Sequence, residues 1–267
     1  MKRVKITIAY DGTKFCGWQI QPGVRTVQNE LEKAISRITG ESLRVYGSGR
    51  TDSGVHALGQ VVHFTVPDSK SKVPWQRALN SIMPDDVTVL DVQYVDESFH
   101  AQFSSVRKTY IYTLWLENSF LLPCRRNYVW ACGPLDLDAL DKGTKHFLGE
   151  HDFASFQNVG TPVKNTIRTI FSFLRLPGEN EYEIRLEVCG SGFLKQMVRN
   201  MVGCLVEVGR GKANPDSVRS VLEAKDRTLA PATAPAQGLC LAHVYYGEPE
   251  RGGFESVRNK SHINGNE

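Results

Sequence analysis

The stretch Gly47-Ser48-Gly49-Arg50-Thr51-Asp52-Ser53-Gly54-Val55-His56-Ala57-Leu58-Gly59-Gln60 constrains this chain more than any other part of it. It carries four glycines, a guanidinium and a carboxylate, with Arg50 and Asp52 separated only by Thr51. On one side Leu43-Arg44-Val45-Tyr46 alternates as a strand does; on the other Val61-Val62-His63-Phe64-Thr65-Val66 has the β-branched and aromatic content of a strand. A connection of about a dozen residues is predicted between them, where hairpin loops usually hold about 2–5. A long ordered loop between rigid strands is where function concentrates. Read alone, Asp52 fits equally a functional carboxylate and an Asx-type cap bonded to nearby backbone N–H groups.

Composition sets wide bounds. The 267 residues suffice for one large domain or two smaller ones, and the hydrophobic and charged fractions are those of an ordinary globular protein. No run of 18 or more apolar residues occurs, which excludes a membrane-spanning helix. The opening Met1 to Gly12 alternates charged and apolar residues up to a turn, as a strand rather than a signal peptide. The six cysteines are scattered without a Cys-x-x-Cys pair, so reduced thiols in a cytoplasmic protein are expected, with neither disulfides nor a metal site. A net charge of +3 permits an RNA partner without demanding one. Basic residues cluster locally as Arg107-Lys108, Arg125-Arg126, Lys195 with Arg199, and Arg210 with Lys212.

Along the chain, Phe15 and Trp18 are expected to fold onto the core from a Gly-punctuated turn. Thr26 is placed as the cap of a helix with Val27, Leu31, Ala34, Ile35 and Ile38 inward and Gly40 as its stop. A second helix carries Trp75, Leu79 and Ile82 and stops at Pro84; residues 87–95 and 107–115 read as strands. Asp136 opens a third helix that buries Leu137, Leu140, Thr144 and Phe147 and ends at Gly149. Residues 167–174 and 182–188 form two strands about a Pro177-Gly178 turn. Residues 193–206 read as a helix too apolar for the surface, with Lys195 and Arg199 at i and i+4 on one face. A buried Arg199 requires an anion, from the protein or from a ligand. Asn214 and Pro215 open a last helix, and residues 239–246 a last strand. His151 and Asp152, being adjacent, do not converge on a metal. The alternation gives an α/β fold with helices packed on a sheet. No internal repeat is visible.

Several of these segments together resemble the tRNA pseudouridine synthases of the TruA type. The similar motifs are Gly-Arg-Thr-Asp-x-Gly-Val-His running into Gly-Gln-Val-Val-His-Phe, Tyr10-Asp11-Gly12 with Gly17-Trp18-Gln19, Phe99-His100-Ala101-Gln102-Phe103-Ser104, and Phe193-Leu194-Lys195-Gln196-Met197-Val198-Arg199-Asn200. Gln102 stands where that family usually has Arg. The resemblance covers about Lys5 to Tyr246 and implies an α+β architecture of two ferredoxin-like halves around a central basic cleft. Residues 1–105 would carry the Asp loop, 106–247 would complete the site, and 248–267 would be a disordered tail. It implies Asp52 as the catalytic residue and Arg50, Tyr110, Arg199 and Lys195 as substrate-binding residues, with Tyr110 against the target base and Arg199 reaching Asp52. The implied substrate is the anticodon arm of tRNA at uridines 38 to 40, the implied enzyme a homodimer needing no cofactor or metal. Two other readings stay open: a non-catalytic RNA-binding module with strand-borne aromatics, and a hydrolytic N-glycosidase using the same carboxylate.

Overall fold

The alternation of the first strand decides which face of the sheet is covered. In β1 (Lys2–Tyr10) the side chains of Val4, Ile6, Ile8 and Tyr10 are buried, while Arg3, Lys5, Thr7 and Ala9 are half-buried on the opposite face. The buried set joins Val27, Leu31, Ala34 and Ile35 of α1 (Val27–Thr39) and Trp75 and Leu79 of α2 (Trp75–Asn80) in one hydrophobic core. The computed structural model describes residues 1–158, 160 and 165–247. The tail expected from residue 248 onward lies outside the described residues.

After β1 and α1 come β2 (Tyr46–Gly47), β3 (His56–Val66), α2 and β4 (Val87–Val95). The chain continues with β5 (Ser105–Trp115), β6 (Trp130–Ala131), α3 (Leu137–Lys145), β7 (Gly149–Asp152), β8 (Ile167–Pro177) and β9 (Glu183–Gly190). It closes with α4 (Met197–Gly209), α5 (Ser217–Ala224) and β10 (Leu239–Tyr246). The strands make one sheet in the order β4-β1-β3-β10-β5-β9-β8-β7, with β2 on β3 and β6 on β5. All pairings are antiparallel except β10 with β3 and β6 with β5. Strand–helix–strand–strand–helix–strand runs twice: β1-α1-β2-β3-α2-β4, then β5-α3-β8-β9-α4-β10. Each run lays its strands in corresponding order, β4-β1-β3-β2 and β10-β5-β9-β8. This mixed α/β sheet meets the expected class. The duplication, invisible in the residues, is one of topology.

Several boundaries differ from expectation. The strand expected at Leu43–Tyr46 is only the two-residue β2, and β3 begins at His56 rather than Val61, so the connection shrinks to residues 48–55. The added residues are paired on both sides: Ala57 and Gln60 with Tyr10 and Ile8 of β1, and His56 and Ala57 with Cys240 and Leu241 far along the chain. Gly59 leaves room for this, since a Cβ there would sit 2.5 Å from the Ala242 carbonyl oxygen. Thr26 precedes α1 without capping it through its side chain, and its hydroxyl is buried without a partner among the described residues. α2 ends at Asn80, short of Pro84: the Ser81 N–H makes the last i to i−4 bond, to Arg77 O, and the Ile82 N–H bonds to Leu79 O in a tighter turn. Asp136 does cap α3, accepting from the Ala139 N–H at 2.9 Å, but the helix stops at Lys145 and Phe147 is buried beyond it. α5 starts at Ser217; Asn214 accepts the Asp216 N–H in the turn before it.

The largest change concerns α4. Gln196 holds φ 63°, a left-handed conformation that ends helical geometry, so α4 starts at Met197 and Lys195 is outside it. Lys195 and Arg199 therefore do not share a helix face. α4 is otherwise nearly all buried, as its composition requires. Its Gly203 lies against the 230–238 loop, where a Cβ would overlap the Ala232 carbonyl oxygen. Gly203→Ala is expected to force helix and loop apart and to destabilise by about 1–3 kcal/mol, as overpacking does. A urea-denaturation midpoint unchanged from wild type would refute this close packing.

Candidate active site

The loop between β2 and β3 is fastened at both ends. At its stem the Ser48 N–H bonds to Val61 O at 2.8 Å, the Ser48 hydroxyl to Gln60 Oε1 at 2.6 Å, and Gln60 Nε2 to Gly49 O at 2.9 Å. At its far end the turn after β1 supports it. Trp18 N–H donates to Thr51 O at 3.1 Å, Gly54 N–H to Phe15 O at 3.3 Å, and the Tyr10 and Thr51 hydroxyls share a bond of 2.8 Å. The approach is close enough that a Cβ on Gly17 would stand 2.7 Å from Thr51 O, at a φ of +84° that favours glycine in any case. Phe15 and Trp18 are buried, as expected of them. Burial pushes the Tyr10 phenol above the ordinary tyrosine range, so it stays neutral and keeps its hydrogen bond.

His56 ties this assembly to the second run of the fold. Its Nδ1 accepts the Gly12 N–H at 3.0 Å, and its Nε2 lies 2.8 Å from the Asn127 carbonyl. Its Nδ1 also lies 3.2 Å from Asp11 Oδ1. Tyr128 packs against the imidazole ring and donates its hydroxyl to Asp11 at 2.7 Å.

Asp52 projects from the loop so held. Its Oδ2 accepts from Arg199 Nη1 at 3.1 Å, across 147 positions of sequence. The Arg199 and Asp52 side chains are only 13% and 22% exposed, which makes the pair a partly desolvated one. Arg199 is fixed from its other side by Nε donating to Ala234 O at 2.8 Å, while the Ala234 N–H returns to Arg199 O at 3.1 Å. The neighbouring Asn200 braces the same loop, accepting from Thr233 and Arg227 through Oδ1 and donating to Phe156 O. Among the described residues Asp52 Oδ1 accepts no hydrogen bond, so one carboxylate oxygen is held and the other is available.

Tyr110, on β5, stands near this carboxylate. It is 8% exposed and packs edge-to-face on Phe193 with ring centroids 5.1 Å apart. Burial first, and the Asp52 charge second, push its phenol above the ordinary range, so it remains a neutral donor. Tyr112 is fully buried and donates to Pro235 O at 2.7 Å, a structural role. The structure thus brings Asp52, Arg199 and Tyr110 together and leaves two expected residues apart. Arg50 is exposed and makes no ion pair or hydrogen bond among the described residues, so Arg199 alone neutralises Asp52. Lys195 is exposed, with no ion pair of its side chain among the described residues. Asp52 is therefore an ion-pair partner, not a turn cap of the Asx kind.

Sequence reasoning passed over Tyr10, His56, Gln60 and Ala234. The first three lie inside motifs already quoted, and only the backbone of Ala234 acts. Among the described residues no group of three or more His, Cys, Asp or Glu side chains could hold a metal ion, and no helix is long and apolar enough to cross a membrane. Asp152 bonds instead to the Ala154 N–H and the Thr166 hydroxyl.

Residues 6–104 and 144–247 match the sequence profile of a family described as tRNA pseudouridine synthase. The chain is 70% identical over 262 residues to tRNA pseudouridine synthase A of Maridesulfovibrio salexigens, with 98% of this chain and 97% of that protein covered. It is 49% identical over 265 residues to tRNA pseudouridine synthase A of Solidesulfovibrio magneticus, with 97% of each covered. Likeness to a chain in "Crystal Structure of a Cbf5-Nop10-Gar1 Complex" is slight, with a TM-score of 0.37 at 10% identity over 89% of this chain and 48% of that one. The family match and the two relatives agree along nearly the whole chain: it belongs to the tRNA pseudouridine synthases, isomerases that convert uridine to pseudouridine in tRNA.

Proposed function

We propose that the chain isomerises uridines 38, 39 and 40 of the tRNA anticodon stem-loop, with Asp52 as the catalytic nucleophile. The observation that carries this reading is a carboxylate with one oxygen bound to Arg199, the other available, and a neutral buried Tyr110 beside it. The reaction breaks the C1′–N1 bond, turns the uracil and forms a C1′–C5 bond; the C5 proton leaves and N1 gains one. Nothing is oxidised and no group is added. Asp52 attacks the nucleotide and is released when the new carbon–carbon bond forms, as a carboxylate does in retaining glycosidases. Arg199 holds the carboxylate in position through its charge-assisted hydrogen bond before attack and after release. The Tyr110 ring holds the uracil by stacking.

A uridine in a stem must leave its stack to reach Asp52. Arg50, exposed two residues away and unpaired among the described residues, fills the space it vacates. Lys195, exposed just before α4, contacts the RNA backbone. The repeated strand order supports two ferredoxin-like halves, residues 1–105 and 106–247, meeting over a basic cleft at β3 and β10. The enzyme works as a homodimer in the cytoplasm.

Tritium release from tRNA labelled at uracil C5 tests this directly. Asp52→Asn should lower release by on the order of 10³-fold or more with tRNA binding kept. Binding without release from the wild type would leave an RNA-binding module, and free uracil as product would indicate a glycosidase. Replacing uridines 38 to 40 by cytidine should abolish release; persistent release places the target elsewhere.

Tyr110→Ala should weaken substrate binding by about 1–3 kcal/mol, the range for a lost base–aromatic stack, whereas Tyr110→Phe keeps binding. Equal KM for wild type and Tyr110→Ala would remove the stacking role. Arg50→Ala should slow reaction on stem uridines more than on the same uridine in an unpaired oligonucleotide. An equal effect on both would end the space-filling role.

A further inference from the structure

Of the basic clusters visible in the sequence, most find acids at once. Arg125 is bidentate on the buried Glu183, with bonds of 2.6 and 3.0 Å, and Arg210 and Lys212 share Glu207. Lys108 does not. Its Nζ bonds to the Ser48 carbonyl at 2.5 Å, and it faces no carboxylate within ion-pairing distance among the described residues. Nor does Arg168, whose Nη1 donates, among the described residues, to the backbone oxygens of Asn165 and Ile167 at 3.1 and 2.6 Å. Both side chains are half-buried.

The sheet register brings these two cations to one place. Lys108 pairs with Gly190, and Gly190 with Ile170, so the three face one side of the sheet. Arg168 lies two residues before Ile170 on the same strand, and Tyr110 two residues after Lys108, both again on that side. Gly190 carries no side chain of its own between the two strands, a Cβ there would press on Ile170 and Phe193 at 3.0 and 3.1 Å, and Gly192 lies beside Arg168, where a Cβ would be 3.7 Å from Nε. The Lys108 amine also lies 3.2 Å from where a Cβ on Gly49 would stand, so it touches the base of the Asp52 loop. Two residues of strand separate it from Tyr110, about 7 Å.

We infer that Lys108 and Arg168 form a phosphate-binding site for the RNA strand, holding a phosphodiester adjacent to the nucleotide that faces Tyr110. This rests on the substrate reading above. Two half-buried cations without a carboxylate in reach among the described residues are costly in the free protein. Burial, and then the Arg168 charge, draw the Lys108 amine down to about 8, while burial lowers Arg168. An anion between them removes the repulsion and gains two charge-assisted hydrogen bonds. Phosphate contacts of this kind fix register without reading a base. They would set which nucleotide reaches Asp52.

The test uses the full chain and a synthetic anticodon stem-loop RNA, binding being measured separately from tritium release. Arg168→Gln and Lys108→Met should each weaken binding about tenfold, leave kcat within about twofold, and lower the slope of log K against log salt by about 0.7–0.9, one phosphate contact. Lys108→Arg should restore most of the binding. A neutral methylphosphonate placed at each phosphate flanking the target uridine should weaken wild-type binding at one position and have no further effect there on Arg168→Gln. Because Lys108 is bonded to the Ser48 carbonyl at the base of the Asp52 loop, Arg168→Gln decides the matter if Lys108→Met does not fold. Unchanged affinity and salt slope in Arg168→Gln would overturn the site, as would methylphosphonates that weaken the variant as much as the wild type. Absence of tritium release from the wild type strikes the isomerase reading instead, and the binding measurements still decide the phosphate site.

Discussion

Two residue pairs, Cys240 with His56 and Leu241 with Ala57, join the two runs of this fold into one sheet. The pairing is parallel and short, and it connects segments more than 180 positions apart, so its entropic cost is met by contacts elsewhere. Those contacts are the antiparallel ladders on either side. β10 pairs with β5, and β3 with β1, along most of their length, so the joint is held by strands that are already ordered. The Asp52 loop leaves β3 at this joint, and the segment carrying Ala234 enters β10 there. Asp52 and Arg199 meet because the sheet closes at that point. Once met, they would be expensive to part, since each is a charge largely withdrawn from water.

A carboxylate is useful only if its position is fixed before the substrate arrives, because catalytic geometry tolerates little slack. Here the loop is fixed mainly by backbone. Thr51, Gly54 and Ser48 are held through main-chain bonds to the turn after β1 and to β3, and Ala234 holds Arg199 through its own main chain. Side chains serve at the margins: Tyr10 on Thr51, Gln60 on Ser48, His56 between Gly12 and Asn127. The remaining oxygen of Asp52 has no hydrogen-bond partner among the described residues.

What could be read from the sequence follows from how local each cause is. The alternation of β1, the capping of α3 by Asp136 and the apolar composition of α4 are settled within a few residues, and each was legible. The start of β3 was not, because its first residues are ordered by pairing with β1 and with a strand near the other end of the chain, and Gly59, which looks like a loop residue, is a strand residue under a close neighbour. Nothing in the residues around Gln196 signals its left-handed conformation, so helical spacing puts Lys195 on a face it does not occupy. The residue types of the site were recognisable from motif resemblance, and Arg199 needed an anion on physical grounds alone. That Asp52 is the anion, and that Arg50 is not its second partner, depends on the closed sheet.

Charge shows the same division most plainly. A net charge of +3 says little about an RNA partner, and adjacent basic residues in the sequence suggest patches that the fold largely dissolves. Arg125 turns inward to Glu183, and Arg210 and Lys212 neutralise Glu207. Arg107 and Lys108, adjacent in sequence, point to opposite faces of β5 by the alternation of a strand, Arg107 lying over Tyr245 and Lys108 beneath the Asp52 loop. Counting cations therefore overstates some clusters and misses others, because Lys108 and Arg168, 60 positions apart, come together only through the register of β5, β9 and β8. The positive charge that matters to an anionic ligand is the charge that the protein's own carboxylates leave unmatched, and pairing across a sheet decides which that is.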